Sequence, residues 1–136
     1  MNYNFRDYDT IAEETQVSQV FSEIQMLVWI RGPNLVNSFN TVFLFVVTEL
    51  LKNSTVTLTR QYTVDLKNGR GSVLRETSRV KPDIIINVSH TDLLFAVSTP
   101  EGIDNLYNKQ KIKVKSETIP SSFAKELLCK LFKVNH

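Results

Sequence analysis

The chain has 136 residues, of which 42% are hydrophobic, 10% aromatic and 22% charged. That is the make-up of one globular domain, and it excludes a disordered, collagen-like or multidomain protein. One cysteine, Cys129, excludes a disulfide-stapled secreted scaffold, and a chain of this length needs neither metal nor disulfide to hold a core.

Net charge is +2. The first fifty residues carry six acids and two bases, and the remainder fourteen bases and eight acids. This asymmetry, with a pI near 8.7, falls short of the basic stripe that marks nucleic-acid binding, so nucleic acid is not an expected partner. The start, MNYNFRDYDT, lacks the basic and apolar regions of a secretory signal, and an intracellular, cytoplasmic location is expected.

Residues 1–9 read as a flexible lead-in, and Thr10-Ile11-Ala12-Glu13 as a capping box that starts a helix. Val17, Val20, Phe21, Ile24, Leu27 and Val28 give that helix one apolar stripe, and Gly32-Pro33 is expected to end it. Leu35 to Phe39 leads into Thr41 to Val47, whose β-branched and aromatic residues predict a central strand. After a turn at Asn53-Ser54, Val56, Leu58, Tyr62, Val64 and Leu66 alternate with polar residues. That period of two predicts a half-buried strand with Arg60 as its polar exception on the inner face. Lys67-Asn68-Gly69 reads as a hairpin turn and Gly71 to Leu74 as a short returning strand.

Pro82 breaks the chain before a fourth strand carrying Ile84, Ile86 and Val88. Ser89-His90-Thr91-Asp92 is a second capping box, opening a short helix with Leu93, Leu94 and Val97. Thr99-Pro100-Glu101 predicts the start of another helix, with Ile103, Leu106 and Tyr107 apolar. From Lys109 to Lys115 the odd positions are lysines and the even ones Gln110, Ile112 and Val114, which reads as a fifth strand with one wet face. Pro120-Ser121-Ser122 opens a last helix, with Phe123, Leu127, Leu128, Leu131 and Phe132 on one side and Lys125, Glu126, Lys130 and Lys133 opposite. The fold class is therefore α+β, a mainly antiparallel five-stranded sheet covered by helices, in a single domain over 1–136.

Catalytic signals are sparse. His90 lies in a helix start, His136 is the final residue, and Cys129 sits among leucines as an inert thiol. No cysteine or histidine spacing suits a metal. Gly69-Arg70-Gly71 lacks the context of a phosphate loop, and Asp65 reads as a hydrogen-bond acceptor for turn amides. Neither an enzyme nor a cofactor is expected.

The run Tyr62-Thr63-Val64-Asp65-Leu66-Lys67-Asn68-Gly69-Arg70-Gly71-Ser72-Val73-Leu74 resembles the sterol carrier protein 2 family. Its second strand carries an aromatic and apolar run, an Asp, an apolar residue, Lys-Asn-Gly and a second glycine. Val42 to Phe45, Pro82 to Val88, Asp92 to Leu94 and Lys111 to Val114 extend the likeness over roughly residues 12 to 134. Where the family often has glycine around the Lys-apolar-Lys strand, this chain has Gln110 and Ser116, and its tail is not the Ser-Lys-Leu type of peroxisomal signal.

The resemblance implies an SCP2-like fold around an apolar tunnel closed by the C-terminal helix. It also implies a monomeric, non-enzymatic carrier of a fatty acid, fatty acyl-CoA, sterol or phospholipid. The expected tunnel lining is Phe43, Phe45, Tyr62, Val64, Ile86, Val88, Leu94, Leu106, Ile112, Val114, Phe123, Leu127 and Leu131. Lys109, Lys111, Lys113 and Lys115 are expected as one same-face row, suited to transient contact with anionic head groups or to protecting a sheet edge. The competing reading keeps the fold with a filled cavity, as a protein-interaction or regulatory module.

Overall fold

The computed structural model describes residues 5–50, 55–75 and 79–134, with side chains from 16 to 133 within those ranges. Chain order is α1 (Phe5–Phe39), β1 (Thr41–Leu50), β2 (Thr57–Leu66), β3 (Ser72–Leu74), β4 (Ile84–Ser89), α2 (His90–Ser98), α3 (Gly102–Asn108), β5 (Lys113–Lys115) and α4 (Ser121–Val134). The sheet runs β3-β2-β1-β4-β5. Every pair is antiparallel except the parallel β1 and β4. The expected α+β class and central first strand are what the structure contains.

Helix α1 departs from expectation at both ends. Residues 1–4 of the expected lead-in lie outside the described residues, while 5–9 belong to the helix, so Thr10 to Glu13 falls inside it. Gly32-Pro33 kinks the helix at Arg31 (φ −123°, ψ 20°) without ending it. Proline has no N–H to donate and a ring that fixes a helical φ, so it suits the first turn of the segment that resumes. The true stop is Asn40, whose φ of 46° lets its N–H donate back to the Val36 carbonyl at 2.9 Å. Gly32 is required for a different reason: a Cβ there would lie 2.0 Å from the Arg70 carbonyl oxygen, so the kink seats directly on the β2–β3 hairpin.

In that hairpin, Asp65 acts as expected. Its Oδ1 accepts the amides of Lys67 at 2.9 Å and Asn68 at 3.0 Å. Positive φ is supplied by Gly69 (58°) and Gly71 (86°), with Asn68 serving instead as an extra donor to Asp65. The expected turn at Asn53-Ser54 lies outside the described residues. Beside β1, Asp83 accepts the Val42 amide at 2.9 Å through Oδ2 and donates its own amide to the Val42 carbonyl, fixing where the parallel β4 begins.

The Ser89 cap is present, its hydroxyl accepting the Asp92 amide at 3.1 Å. Thr99, by contrast, does not start α3. It ends α2 in extended conformation (φ −133°, ψ 146°), and α3 begins at Gly102, where close packing on Ala96 leaves 2.6 Å for an added Cβ. The expected strand from Lys109 is also shorter than its alternation suggests. Gln110 has φ 59°, its N–H donates to Tyr107 O at 3.1 Å, and that of Lys111 donates to Leu106 O at 2.8 Å. This pair of bonds is the Schellman closure of α3, so residues 109–111 belong to a helix cap and the strand starts at Lys113.

Candidate functional site

The strand register lays the expected lining side by side. Val64, Phe43 and Ile84 are cross-strand neighbours, with Val73 continuing the row on β3. Tyr62, Phe45, Ile86 and Val114 form the next row across four strands, and Arg60, Val47 and Val88 the third. Directly opposed residues share a sheet face, so Phe43, Phe45, Tyr62, Val64, Ile86, Val88 and Val114 all project the same way. Arg60 is the polar exception on that face, as its place in the alternation predicts.

Helices cover this face. Val17, Phe21, Ile24 and Val28 of α1 are buried in one core with Leu93 of α2, Leu106 of α3, and Leu127, Leu128, Leu131 and Phe132 of α4. The middle of the layer is aromatic. The Phe21 ring stacks on Tyr62 at 4.0 Å between centroids and meets Phe45 edge-on at 5.2 Å, and Phe132 of α4 reaches the other side of Phe45 at 6.0 Å. Neither Phe21 nor Phe132 is among the expected lining residues. The helical stripe that contains Phe21 shows in the sequence, but which residue it faces does not.

Helix α4 is fastened at its rim by two lysines. Lys125 Nζ is 2.8 Å from Asp104 Oδ1 on α3 and lies over the Tyr107 ring. Lys130 Nζ donates to Ser38 Oγ at 2.8 Å and sits 5.0 Å from the Phe39 ring centroid, at the end of α1. Hydrogen bonds to Asp104, and secondarily to Glu126, raise the Lys125 ammonium above its ordinary pKa. Cys129 is buried beside this clasp. Burial first, and the Asp104 charge second, push its thiol up, so it stays protonated at neutral pH and is a poor nucleophile.

Of the thirteen expected lining residues, twelve meet at this layer: Leu106, Ile112, Leu127 and Leu131 are buried, and Leu94 and Val114 pack against the core from its edge. Phe123 does not join them. It lies in the first turn of α4 and is 56% exposed, because the buried stripe of that helix runs through Ala124, Leu127, Leu128 and Leu131 and leaves position 123 on the solvent side. The four-lysine row is likewise broken. All four are exposed, but only Lys113 and Lys115 share β5, since Lys109 and Lys111 are taken up by the α3 cap. Among the described residues no group of three metal-ligating side chains occurs, and no helix is long and apolar enough to cross a membrane.

A five-stranded sheet of this order, walled on one face by apolar residues and covered by α1 and a terminal α4, invites comparison with known proteins. Residues 25–118 match the profile of the SCP-2 sterol transfer family. The chain belongs to that family. Peroxisomal multifunctional enzyme A of Dictyostelium discoideum is 26% identical over 104 residues, covering 76% of this chain and 22% of the relative. The chain thus spans about a fifth of the length of that curated relative. The apo form of Sterol Carrier Protein 2 from Yarrowia lipolytica superposes with a TM-score of 0.67 at 19% identity, covering 84% of this chain and 87% of that one. Sterol Carrier Protein 2 Like 2 from Aedes aegypti gives 0.63 at 20% identity, covering 89% and 97%. A palmitated SCP2L2 from the same organism gives 0.55 at 22% identity, covering 90% and 93%. These likenesses show the SCP2 fold, and the SCP2 domain is a lipid-binding domain.

Proposed function

We propose that this SCP2 chain is a monomeric, non-enzymatic lipid-binding and lipid-transfer protein. It holds the apolar part of a fatty acid, fatty acyl-CoA, sterol or phospholipid between the sheet and its helices, with α4 as the closing element. The observation that carries the reading is the continuous apolar face across β2, β1, β4 and β5, covered by a last helix whose polar fastenings lie at its rim. The palmitate named with the Aedes relative supports an acyl chain as one ligand class. Cytoplasm is the proposed compartment, with the peroxisome the alternative that the Dictyostelium name favours. Lys113 and Lys115, exposed on the edge strand, are the proposed points of transient contact with anionic head groups.

Magnitudes set which ligands suffice. Admitting a chain requires Leu127, Leu131 and Phe132 to leave the layer, at about 2 kcal/mol each or roughly 6 kcal/mol together. A ligand returns about 0.8 kcal/mol per buried methylene, so roughly eight methylenes are needed to break even. Binding of saturated fatty acids from about six to about eighteen carbons should therefore be negligible at the short end and strengthen steadily beyond about ten. Failure of the longest acids to bind at micromolar concentration would refute fatty acid as the ligand class and leave sterol, acyl-CoA and phospholipid to be titrated in the same way.

A second reading has its own support. The Phe21–Tyr62 stack at 4.0 Å, flanked by Phe45 and Phe132, fills the middle of the layer with protein. On that reading the chain is an interaction module with a packed core, and no chain length of fatty acid binds.

A further inference from the structure

The side of α1 that faces away from the apolar layer carries an unusual load. Trp29 is 78% exposed, Ile30 70% and Met26 56%, although α1 already buries a full stripe on its other side. Single exposed apolar residues are ordinary, but a contiguous patch marks an interaction site. Beside the patch lies an open slot of about 950 Å³. One wall is α1, from Ser22 to Trp29, and the other is the unbroken run from Arg70 to Leu74.

That unbroken run is informative. Alternate side chains of a strand point to opposite faces, so a slot lined by consecutive residues meets the strand along its backbone edge. Strand β3 is terminal in the sheet, and its outer edge has no strand partner among the described residues. A contact between helix and hairpin marks each end of the slot. At one, the Arg75 guanidinium crosses to Ser22 Oγ and the Ser18 carbonyl; at the other, the Arg70 carbonyl rests on Gly32. The seven helical steps from Ser22 to Trp29 span about 10 Å at 1.5 Å each, which accommodates about three residues of extended chain at roughly 3.3 Å each.

Charge narrows the occupant. Arg70 lines the slot and Arg75 bonds across to Ser22 at one end of it, and among the described residues no carboxylate forms an ion pair with either. Glu23 on α1 is not among the residues that line the slot. A second copy of this chain would oppose the same arginines to one another. A flat bilayer could touch Trp29 and Ile30 but not the strand edge below them.

We propose that this slot is a docking site for an extended peptide segment of a partner protein, about three residues deep, added to the free edge of β3 with acidic residues flanking it. Main-chain pairing to β3 supplies the affinity, the Met26, Trp29 and Leu74 side chains supply the apolar contact, and the arginines select the acidic flanks.

Trp29 is the chain's one tryptophan, so its emission reports the slot directly. The test titrates an array of end-blocked hexapeptides with β-branched centres and Asp, Glu, Lys or Ala flanks into the full chain. Acid-flanked members should blue-shift Trp29 emission and bind about tenfold more tightly than Lys-flanked ones, with the difference shrinking as salt rises. Methylating the central amide nitrogens of the best peptide should cost about tenfold, as should Arg70→Glu in the protein, with Arg75→Glu as a second variant at the other end of the slot. The proposal is overturned if acid- and Lys-flanked peptides bind alike, if none binds, or if methylation changes nothing. It is also overturned if phosphatidylserine vesicles shift the emission where the peptides do not, or if Trp29 is quenched by self-association.

Discussion

Replacing Gly32 by alanine tests the contact that joins α1 to the β2–β3 hairpin. The substitution has two opposed effects. Alanine in a helical segment is worth about 1 kcal/mol over glycine, so on local grounds Gly32→Ala should stabilise. Against that, the added Cβ would stand 2.0 Å from the Arg70 carbonyl oxygen, where ordinary contact begins at 3.4 Å. Both sides are backbone, so neither can swing away, and helix and hairpin must separate by roughly 1.4 Å. Overpacking of this kind costs about 3 kcal/mol. The net loss is then about 2 kcal/mol, or a fall in Tm of about 6–10 °C for a chain of this size. Gly69→Ala is the control, since nothing lies within 4 Å and only its φ of +58° is strained; it should cost about 1 kcal/mol. Thermal and urea unfolding followed by circular dichroism measure both. An unchanged or raised Tm for Gly32→Ala, or a larger loss for Gly69→Ala, would mean that the hairpin does not bear on the kink at Gly32.

Gln110→Gly should stabilise by about 1 kcal/mol, because position 110 occupies the left-handed site of a Schellman closure that glycine enters without steric cost; a neutral or negative result in urea unfolding would show that the Gln110 side chain makes a compensating contact. Lys125→Met should lower stability by about 0.5 kcal/mol at neutral pH, a modest figure since Asp104 is half exposed. The Lys125 pKa is raised on folding, so this contribution is complete below the unfolded lysine value of about 10.4 and fades as pH rises through the folded one. The gap between wild type and variant should accordingly stay constant from about pH 7 to about pH 10 and close only above that. Leu131→Glu places a carboxyl against the apolar layer and should displace α4, reducing fatty-acid retention about tenfold or more while the sheet still melts cooperatively; a variant that fails to fold at all would mean α4 is structural core and not a closing element.

Much of the site was legible because sheets impose period two. Once Phe43, Phe45, Tyr62, Val64, Ile86 and Val88 are assigned to strands, alternation alone puts them on one face, and it singles out Arg60 as the charged intruder. What sequence could not supply was the end of an element when the deciding interaction is distant or atypical. Gly32-Pro33 looks like a stop, yet the hairpin seated on Gly32 turns it into a kink. Lys109 to Lys115 alternates like a strand, yet Gln110 takes a conformation that usually announces itself as glycine. Phe123 is four residues before Leu127, but the buried stripe runs through Ala124, Leu128 and Leu131 and leaves position 123 on its solvent side. Trp29 lies about 100° round the helix from Val28 and outside the buried stripe, in keeping with its exposure, but nothing in the spacing showed the slot beside it.

The carrier reading stands or falls on whether the purified protein carries lipid. Native mass spectrometry of the intact chain, followed by solvent extraction and identification of what is released, decides it most directly. A carrier holds one equivalent of an acyl-chain or sterol lipid, or takes up a long fatty acid stoichiometrically when it is added. A chain that releases nothing, and that binds no added fatty acid, acyl-CoA, sterol or phospholipid at micromolar concentration, has a filled core and would contradict the carrier reading.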